Sequence, residues 1–213
     1  MQKAEEGGDL IERDAPPRRL AASSGSLIEK VDTAADSDIG IVLEEWQNAR
    51  LLTLLDSVVR NRQESSSPCP EATLPSEPCT WASVGSVKVC WVGPNRWLTL
   101  ERVEQEEDSW DFSLSLSADT HVVDTTGNFS VFSITGPSVK RLLQKSCAFD
   151  FHESVFSSNS CVSTTFAKTQ ALVVAGQNDG IELVARRSYS DYVCRWIADA
   201  SREFGFRNVT YSS

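Results

Sequence analysis

Trp91-Val92-Gly93-Pro94-Asn95-Arg96-Trp97-Leu98-Thr99-Leu100 is the stretch from which the fold is read. Val87, Val89 and Trp91 alternate along the approach to it, so Val84–Val92 reads as a strand with one buried face. Gly93-Pro94-Asn95 supplies the backbone angles of a turn. Arg96–Leu100 then returns as a second strand.

The pattern continues toward the C-terminus. His121–Asp124 and Ser130–Ile134 read as short strands around Thr125-Thr126-Gly127-Asn128. Thr135-Gly136-Pro137 opens a helix, where a proline in the first turn sacrifices no hydrogen bond, and Val139, Leu142 and Leu143 share its apolar face. Three strands follow, Val162–Ala167, Gln170–Ala175 and Gly180–Ala185, with turns at Lys168-Thr169 and Gln177-Asn178-Asp179-Gly180. A last helix is expected to be capped by Ser188, with Asp191 three residues on completing a capping box. Tyr189, Tyr192, Val193, Trp196, Ile197 and Ala200 recur at helical spacing, and Gly205 stands just beyond Phe204, where a left-handed residue ends a helix. Trp91, Trp97 and Trp196 are expected in the core. This order of elements predicts an α+β fold, with antiparallel strands and helices packed on one side.

Toward the N-terminus the signal weakens. In Ile39–Val59 the leucines and valines suit one buried helix face, while Ile41-Val42-Leu43 and the polar break at Gln47-Asn48 suit two strands and a turn. Residues 60–80 carry Pro68, Pro70, Pro75 and Pro78 and read as a loop. Residues 1–38 bury too little apolar surface to offset their backbone entropy and read as a mobile tail. The expected domain is therefore 39–206, followed by a C-terminal tail at 207–213.

A formal net charge of −10 and a pI of about 4.7 repel nucleic-acid phosphates and anionic membranes. No apolar run reaches the roughly 18 residues of a membrane span. Met1-Gln2-Lys3-Ala4-Glu5-Glu6-Gly7-Gly8 lacks the apolar stretch of a secretory leader, so a cytoplasmic location is expected. The six cysteines form no C-x-x-C pair and read as reduced thiols, with a Cys69–Cys79 disulfide left open if the protein meets an oxidant. Glu101, Glu104, Glu106, Glu107, Asp108 and Asp111 read as a solvated acidic face.

Candidate chemistry is sparse. His121 stands near Asp119 and Asp124, but the pattern places no nucleophile beside it; His152 lacks companion metal ligands. No G-x-G-x-x-G loop follows a strand, and no phosphate loop with a lysine is present. The expectation is a chain with no catalytic, cofactor-binding or metal residue of its own.

Five short motifs between residues 87 and 206 occur in an order that resembles the gamma subunit family of heterotetrameric sarcosine oxidase. They are Trp91–Leu100, Val123-Asp124-Thr125-Thr126, Thr135-Gly136-Pro137, Cys147-Ala148-Phe149-Asp150-Phe151-His152 and Arg187-Ser188-Tyr189-Ser190-Asp191-Tyr192. Leu74-Pro75 and Cys79-Thr80-Trp81 are similar to a further stretch of that family, and Gly40–Asp56 is similar to its opening hairpin. The resemblance thus favours strands in that segment. It implies an aminomethyltransferase-like folate-binding fold, akin to the glycine-cleavage T-protein. It also implies alpha, beta and delta partner subunits that hold FAD, FMN, NAD and tetrahydrofolate and demethylate sarcosine to glycine. The small subunit of N-methylglutamate dehydrogenase has a similar organisation. A stand-alone folate-binding protein is a second hypothesis, with Asp124 the one acid in a promising strand, and a generic acidic scaffold with no enzyme partner is the third.

Overall fold

The computed structural model describes residues 39–56, 74–103 and 120–209. The expected N-terminal tail, most of the proline-rich loop and the acidic run from Glu104 to Asp111 lie outside the described residues. In chain order the elements are β1 (Ile41–Glu45), β2 (Ala49–Arg50), β3 (Leu52–Asp56), β4 (Trp81–Val84), β5 (Val87–Gly93), β6 (Arg96–Arg102), β7 (Thr120–Asp124) and β8 (Phe129–Thr135). They continue with α1 (Val139–Ser146), β9 (Cys161–Phe166), β10 (Thr169–Ala175), β11 (Ile181–Arg186), α2 (Ser190–Ala200) and β12 (Phe206–Val209).

The strands form two sheets. One runs β12-β1-β8-β11-β10-β9; the other runs β4-β5-β6-β3-β7, with β2 beside β6. Every pairing is antiparallel except β1 with β12. The α+β class expected from the sequence is therefore what forms, with one parallel pair added.

The two-residue period of a strand explains the layering. In β10, Ala171 and Val173 face α1 and α2, while Leu172 and Val174 face the second sheet. In β8, Phe132 and Ile134 point to the helices and Val131 to the other sheet. Both faces are covered at the sheet's centre, so β8, β10 and β11 carry apolar residues on both sides. In β5 and β6, Cys90, Leu98 and Leu100 meet the first sheet, while Val87, Val89 and Trp97 form a smaller cluster with Leu54 on the far face. The layers are thus helices, sheet, sheet. Trp97 closes the far face, where its indole N–H donates to the Pro75 carbonyl at 2.8 Å.

Several expectations need correction. β1 and β3 form no hairpin: β1 lies in the first sheet and β3 in the second, with the chain crossing between them at Trp46–Leu51. The polar break at Gln47-Asn48 marks this crossing rather than a tight turn. Val84–Val92 is not one strand; Gly85, at a φ of 59°, turns the chain from β4 into β5. Glu101 is not solvated. It is 6% exposed in β6, with its carboxylate taking the Ser86 hydroxyl at 3.3 Å and the Arg50 guanidinium at 3.4 Å. Ser188 does not cap α2, which begins at Ser190 after a 3-10 turn over Arg187–Tyr189. The buried face of α2 centres on Val193, Cys194 and Ile197; Tyr189 is exposed, and Tyr192 and Trp196 are half-buried at the margin of the core. Trp91 is likewise half-buried, whereas Trp97 is buried as expected. The strand Phe206–Val209 runs through the expected domain boundary at 206.

One junction sets the first sheet. Gly40 donates its N–H to the Phe204 carbonyl at 2.7 Å, and Ile41 donates to the Gly205 carbonyl at 3.0 Å. Ser138, leading into α1, donates to the Gly40 carbonyl at 3.1 Å. A Cβ on Gly136 would stand 2.3 Å from that carbonyl oxygen, and one on Gly40 would stand 2.3 Å from the Phe204 oxygen. Gly136 also holds a φ of 119°, which a side chain resists. The starts of β1, β12 and α1 and the end of β8 therefore meet backbone to backbone.

An ion pair spans the two sheets. Lys88 in β5 and Glu182 in β11 both face the interlayer, and the ammonium donates to the two carboxylate oxygens at 2.5 and 2.6 Å. Lys88 also lies over the Trp81 ring, 4.7 Å from its centre. Burial pushes the Glu182 carboxyl above its usual range, although the Lys88 ammonium opposes the shift. Desolvation thus outweighs the attraction.

Two outcomes are expected. Gly136→Ala should lower stability by about 3 kcal/mol or more, through strain and backbone overlap. Gly85→Ala, where a Cβ meets nothing within 4 Å, should cost only about 1–2 kcal/mol for its left-handed backbone. Equal shifts in urea midpoint would show that the junction is not tight. For the ion pair, a raised folded-state pKa makes the Glu182 contribution most favourable below the unfolded value of 4.5 and progressively lost as pH rises through the folded value. Lys88→Met should cost on the order of 2–3 kcal/mol at neutral pH, between the surface and fully buried limits. It should also steepen that pH dependence. Adding Glu182→Gln should flatten it, as read by denaturation between pH 4 and pH 8 (roughly the carboxylate-to-neutral range).

Candidate functional site

Thr125 and Thr126 clamp the start of β3. The Leu51 amide donates to the Thr126 hydroxyl at 3.0 Å, and the Leu51 carbonyl accepts the Thr125 amide at 3.0 Å and the Thr126 hydroxyl at 3.1 Å. Asp124 ends β7, where one carboxylate oxygen takes the Thr126 amide at 2.8 Å. It is a turn residue, as its sequence context suggested.

His121 is exposed on β7, opposite Leu55 of β3. Its neighbours Val122 and Val123 are exposed at 36% and 46%. Asp119 lies outside the described residues, so the His–Asp pairing considered from the sequence rests on Asp124 alone. His152 is exposed in the loop after α1, with Nδ1 at 2.8 Å from the Ser154 hydroxyl. The Asp150 carboxylate accepts the His152 amide at 2.9 Å, so this acid and histidine build a turn. His121 thus lies in β7 of the second sheet and His152 in the loop that leads from α1 to β9. Among the described residues, no group of three or more His, Cys, Asp or Glu side chains is placed to hold a metal ion. No helix among them is long and apolar enough to cross a membrane.

The aromatic residues of the same loop have a packing role. Phe149, Phe151 and Phe156 meet edge to face, with centroids 5.0 to 6.3 Å apart. At the start of α2, the Ser190 hydroxyl donates to the Ser130 hydroxyl of β8 at 2.8 Å, a buried bond that docks the helix on the sheet. The Trp196 indole N–H donates to the buried Ser146 hydroxyl at 3.0 Å, joining α2 to α1.

Two clefts border the Gly176–Asn178 turn, the first on the helix side of the first sheet and the second toward the other sheet. One, of about 450 Å³, has Leu143, Phe151 and Phe156 for its floor and Lys140 and Glu153 at its rim. Those two charges are ion-paired at 2.5 Å. The other, of about 700 Å³, is lined by Trp81, Ser83, Lys88, Asn159, Gln177 and Asn178 among others. Its cation is the one engaged by Glu182. Neither cleft is lined by Asp124, His121 or His152. The Asp124 carboxylate is engaged in its turn instead. What the sequence reading missed is that Thr125 and Thr126 clamp the distant Leu51 backbone, a use that leaves no mark in residue type.

Residues 73–203 match the family described as the sarcosine oxidase, gamma subunit family. The gamma subunit of sarcosine oxidase from Corynebacterium sp. (strain P-1) is 29% identical over 128 residues, covering 60% of this chain and 63% of the relative. That from Corynebacterium sp. (strain U-96) is 28% identical over 127 residues, 59% of this chain and 62% of the relative. The matched region therefore spans somewhat under two thirds of the length of these relatives. Among solved structures, a chain of heterotetrameric sarcosine oxidase from Corynebacterium sp. U-96, in complex with pyrrole 2-carboxylate, superposes with a TM-score of 0.72 at 24% identity. The superposition covers 91% of this chain and 99% of that one. Aminomethyltransferase T of the glycine cleavage system from Bartonella henselae superposes with a TM-score of 0.55 at 9% identity, over 80% of this chain and 48% of that one. These likenesses fix the fold as aminomethyltransferase-like. With more than half of its residues inside the family match, this chain belongs to the sarcosine oxidase, gamma subunit family.

Proposed function

We propose that the chain is the non-catalytic gamma subunit of a cytoplasmic heterotetrameric sarcosine oxidase, and that it supports oxidative demethylation of sarcosine to glycine by its partners. In this reading alpha, beta and delta chains are the partners. FAD, FMN, NAD and tetrahydrofolate sit in those chains, and this one contributes a packing surface. The observation that carries the reading is the family match over residues 73–203, taken with the work its motif residues do. Thr125, Thr126, Gly136, Asp150 and Ser190 all hold backbone or neighbouring elements in place. A general base needs a free, reachable side chain near a reacting atom, and these side chains are engaged in turns, clamps and close approaches instead.

Co-expression of the tagged full chain with its candidate partners tests this. The expected result is a yellow complex that turns over sarcosine, from a chain that alone has neither flavin absorbance nor activity. His121→Ala and His152→Ala should each leave turnover of the complex within about twofold of the parent, because loss of an essential acid or base costs about a hundredfold or more. A hundredfold loss in either would place a catalytic group in this chain. Tight tetrahydrofolate binding by the isolated chain would favour a folate-binding protein, and a preference for N-methylglutamate over sarcosine would favour the related dehydrogenase.

A further inference from the structure

Three cysteines meet where the two sheets touch. Cys79 stands just before β4 with a φ of 61°, Cys90 lies in β5, and Cys161 opens β9. Thr80 and Ser160 form an antiparallel bridge between the lead-in to β4 and the start of β9. The Cys161 amide donates to the Cys79 carbonyl at 2.8 Å, and the Trp81 amide donates to the Asn159 carbonyl at 2.9 Å. Cys79 and Cys161 are therefore joined backbone to backbone beside that bridge, where the left-handed Cys79 leaves the extended conformation. A backbone hydrogen bond of this kind brings two segments into the range of roughly 4.4–6.8 Å at Cα that a disulfide spans.

Cys161 is equally tied to β5. Its thiol donates to the Thr80 carbonyl at 3.1 Å and reaches the Trp91 carbonyl at 3.4 Å, one residue beyond Cys90. The Thr80 carbonyl also accepts the Trp91 amide at 3.0 Å. One carbonyl thus gathers all three cysteine-bearing segments. Cys90 and Cys161 pack in the same buried cluster between the sheets, and the neighbouring Cys161 thiol together with burial holds the Cys90 thiol well above its ordinary pKa. Cys90 and Cys161 are buried, while Cys79 is exposed. Cys147 and Cys194 belong to the helix side of the first sheet, away from this junction.

We propose that Cys79, Cys90 and Cys161 form a thiol relay that carries oxidation by a peroxide from the surface to a buried Cys90–Cys161 disulfide joining the two sheets. Cys79, the thiol a solute can reach, attacks the peroxide O–O bond. Its sulfur gains oxygen as a sulfenic acid, and the leaving oxygen departs protonated as an alcohol or water. The Cys161 sulfur then attacks the Cys79 sulfur. An S–S bond forms, the S–O bond breaks, and hydroxide leaves as water with the Cys161 proton. Finally the Cys90 sulfur attacks Cys161, the S–S bond transfers, and the Cys90 proton passes to the released Cys79 thiolate. The peroxide takes up two electrons, two thiols become one disulfide, and Cys79 returns to its starting state.

The test treats the full chain with hydrogen peroxide, blocks the remaining thiols with iodoacetamide under denaturing conditions, and maps peptides without reduction. A Cys90–Cys161 cross-linked peptide is expected, with Cys147 and Cys194 alkylated. Cys79→Ser should slow formation of that cross-link at least about tenfold, since buried thiols are otherwise inert. Cys161→Ser, which keeps a hydroxyl donor for the Thr80 carbonyl, should abolish it and leave the Cys79 sulfenic acid open to trapping by dimedone. A Cys69–Cys79 disulfide as the main product would overturn the proposal. So would oxidation of Cys147 and Cys194 as fast as that of Cys90 and Cys161, or an unchanged rate in Cys79→Ser.

Discussion

The contact of Gly40 with Gly136 and Phe204 is the constraint on which the first sheet depends. Hydrogen bonds at 2.7 and 3.1 Å hold Gly40 between the lead-in to β12 and the lead-in to α1. A side chain at Gly40 or Gly136 would collide with a carbonyl that cannot swing away. With the junction closed, β1 enters between β8 and β12, and its Ile41 and Leu43 complete the surface on which the helices pack. With it open, β12 has no partner and α1 loses its anchor. The tightest backbone approach among the described glycines therefore falls at a junction of two residues that have no side chain.

The same economy runs through the polar residues. A chain with a formal net charge of −10 has acids to spare, yet several of the described ones are committed to structure. Glu182 joins the sheets through Lys88, Glu101 joins β6 to β2 through Arg50, and Asp124 closes a turn. Thr125 and Thr126 spend their hydroxyls on one carbonyl. Such bonds are individually worth about 1 kcal/mol, but leaving a buried partner unmet costs more.

Much of the fold was legible because strands with two covered faces and helices with one leave different periods. The β9-β10-β11 run, the turn at Pro94-Asn95 and the apolar face of α1 were read directly. The failures have separate physical causes. A strand pair that parts into two sheets needs the same polar break as a hairpin, so Gln47-Asn48 could not distinguish them. The Gly85-Ser86 turn fell inside an unbroken alternation. Glu101 was averaged into an acidic run, although its cross-strand partner Arg50 lies far away in sequence. Strand β12 has one buried residue, Phe206, and takes its identity from β1 rather than from its own pattern. In α2 the aromatic residues dominated the apparent face, while the smaller Val193, Cys194 and Ile197 occupy the centre. The family motifs were recognisable as strings, but their purpose emerged only with the backbone atoms they bind.

The parallel pairing of β1 with β12 also bears on how the protein is made. β1 is among the first described elements to leave the ribosome, and its partner β12 is the last. Until β12 emerges, one edge of β1 offers unpaired N–H and C=O groups beside the apolar side chains of Ile41 and Leu43. Such an edge invites pairing with a neighbouring nascent chain. Closing it requires a contact between distant parts of the chain, a slow event in folding. The interval between synthesis of the two strands is therefore the period in which this edge of β1 stands open, and circular permutation at an exposed loop would shorten it.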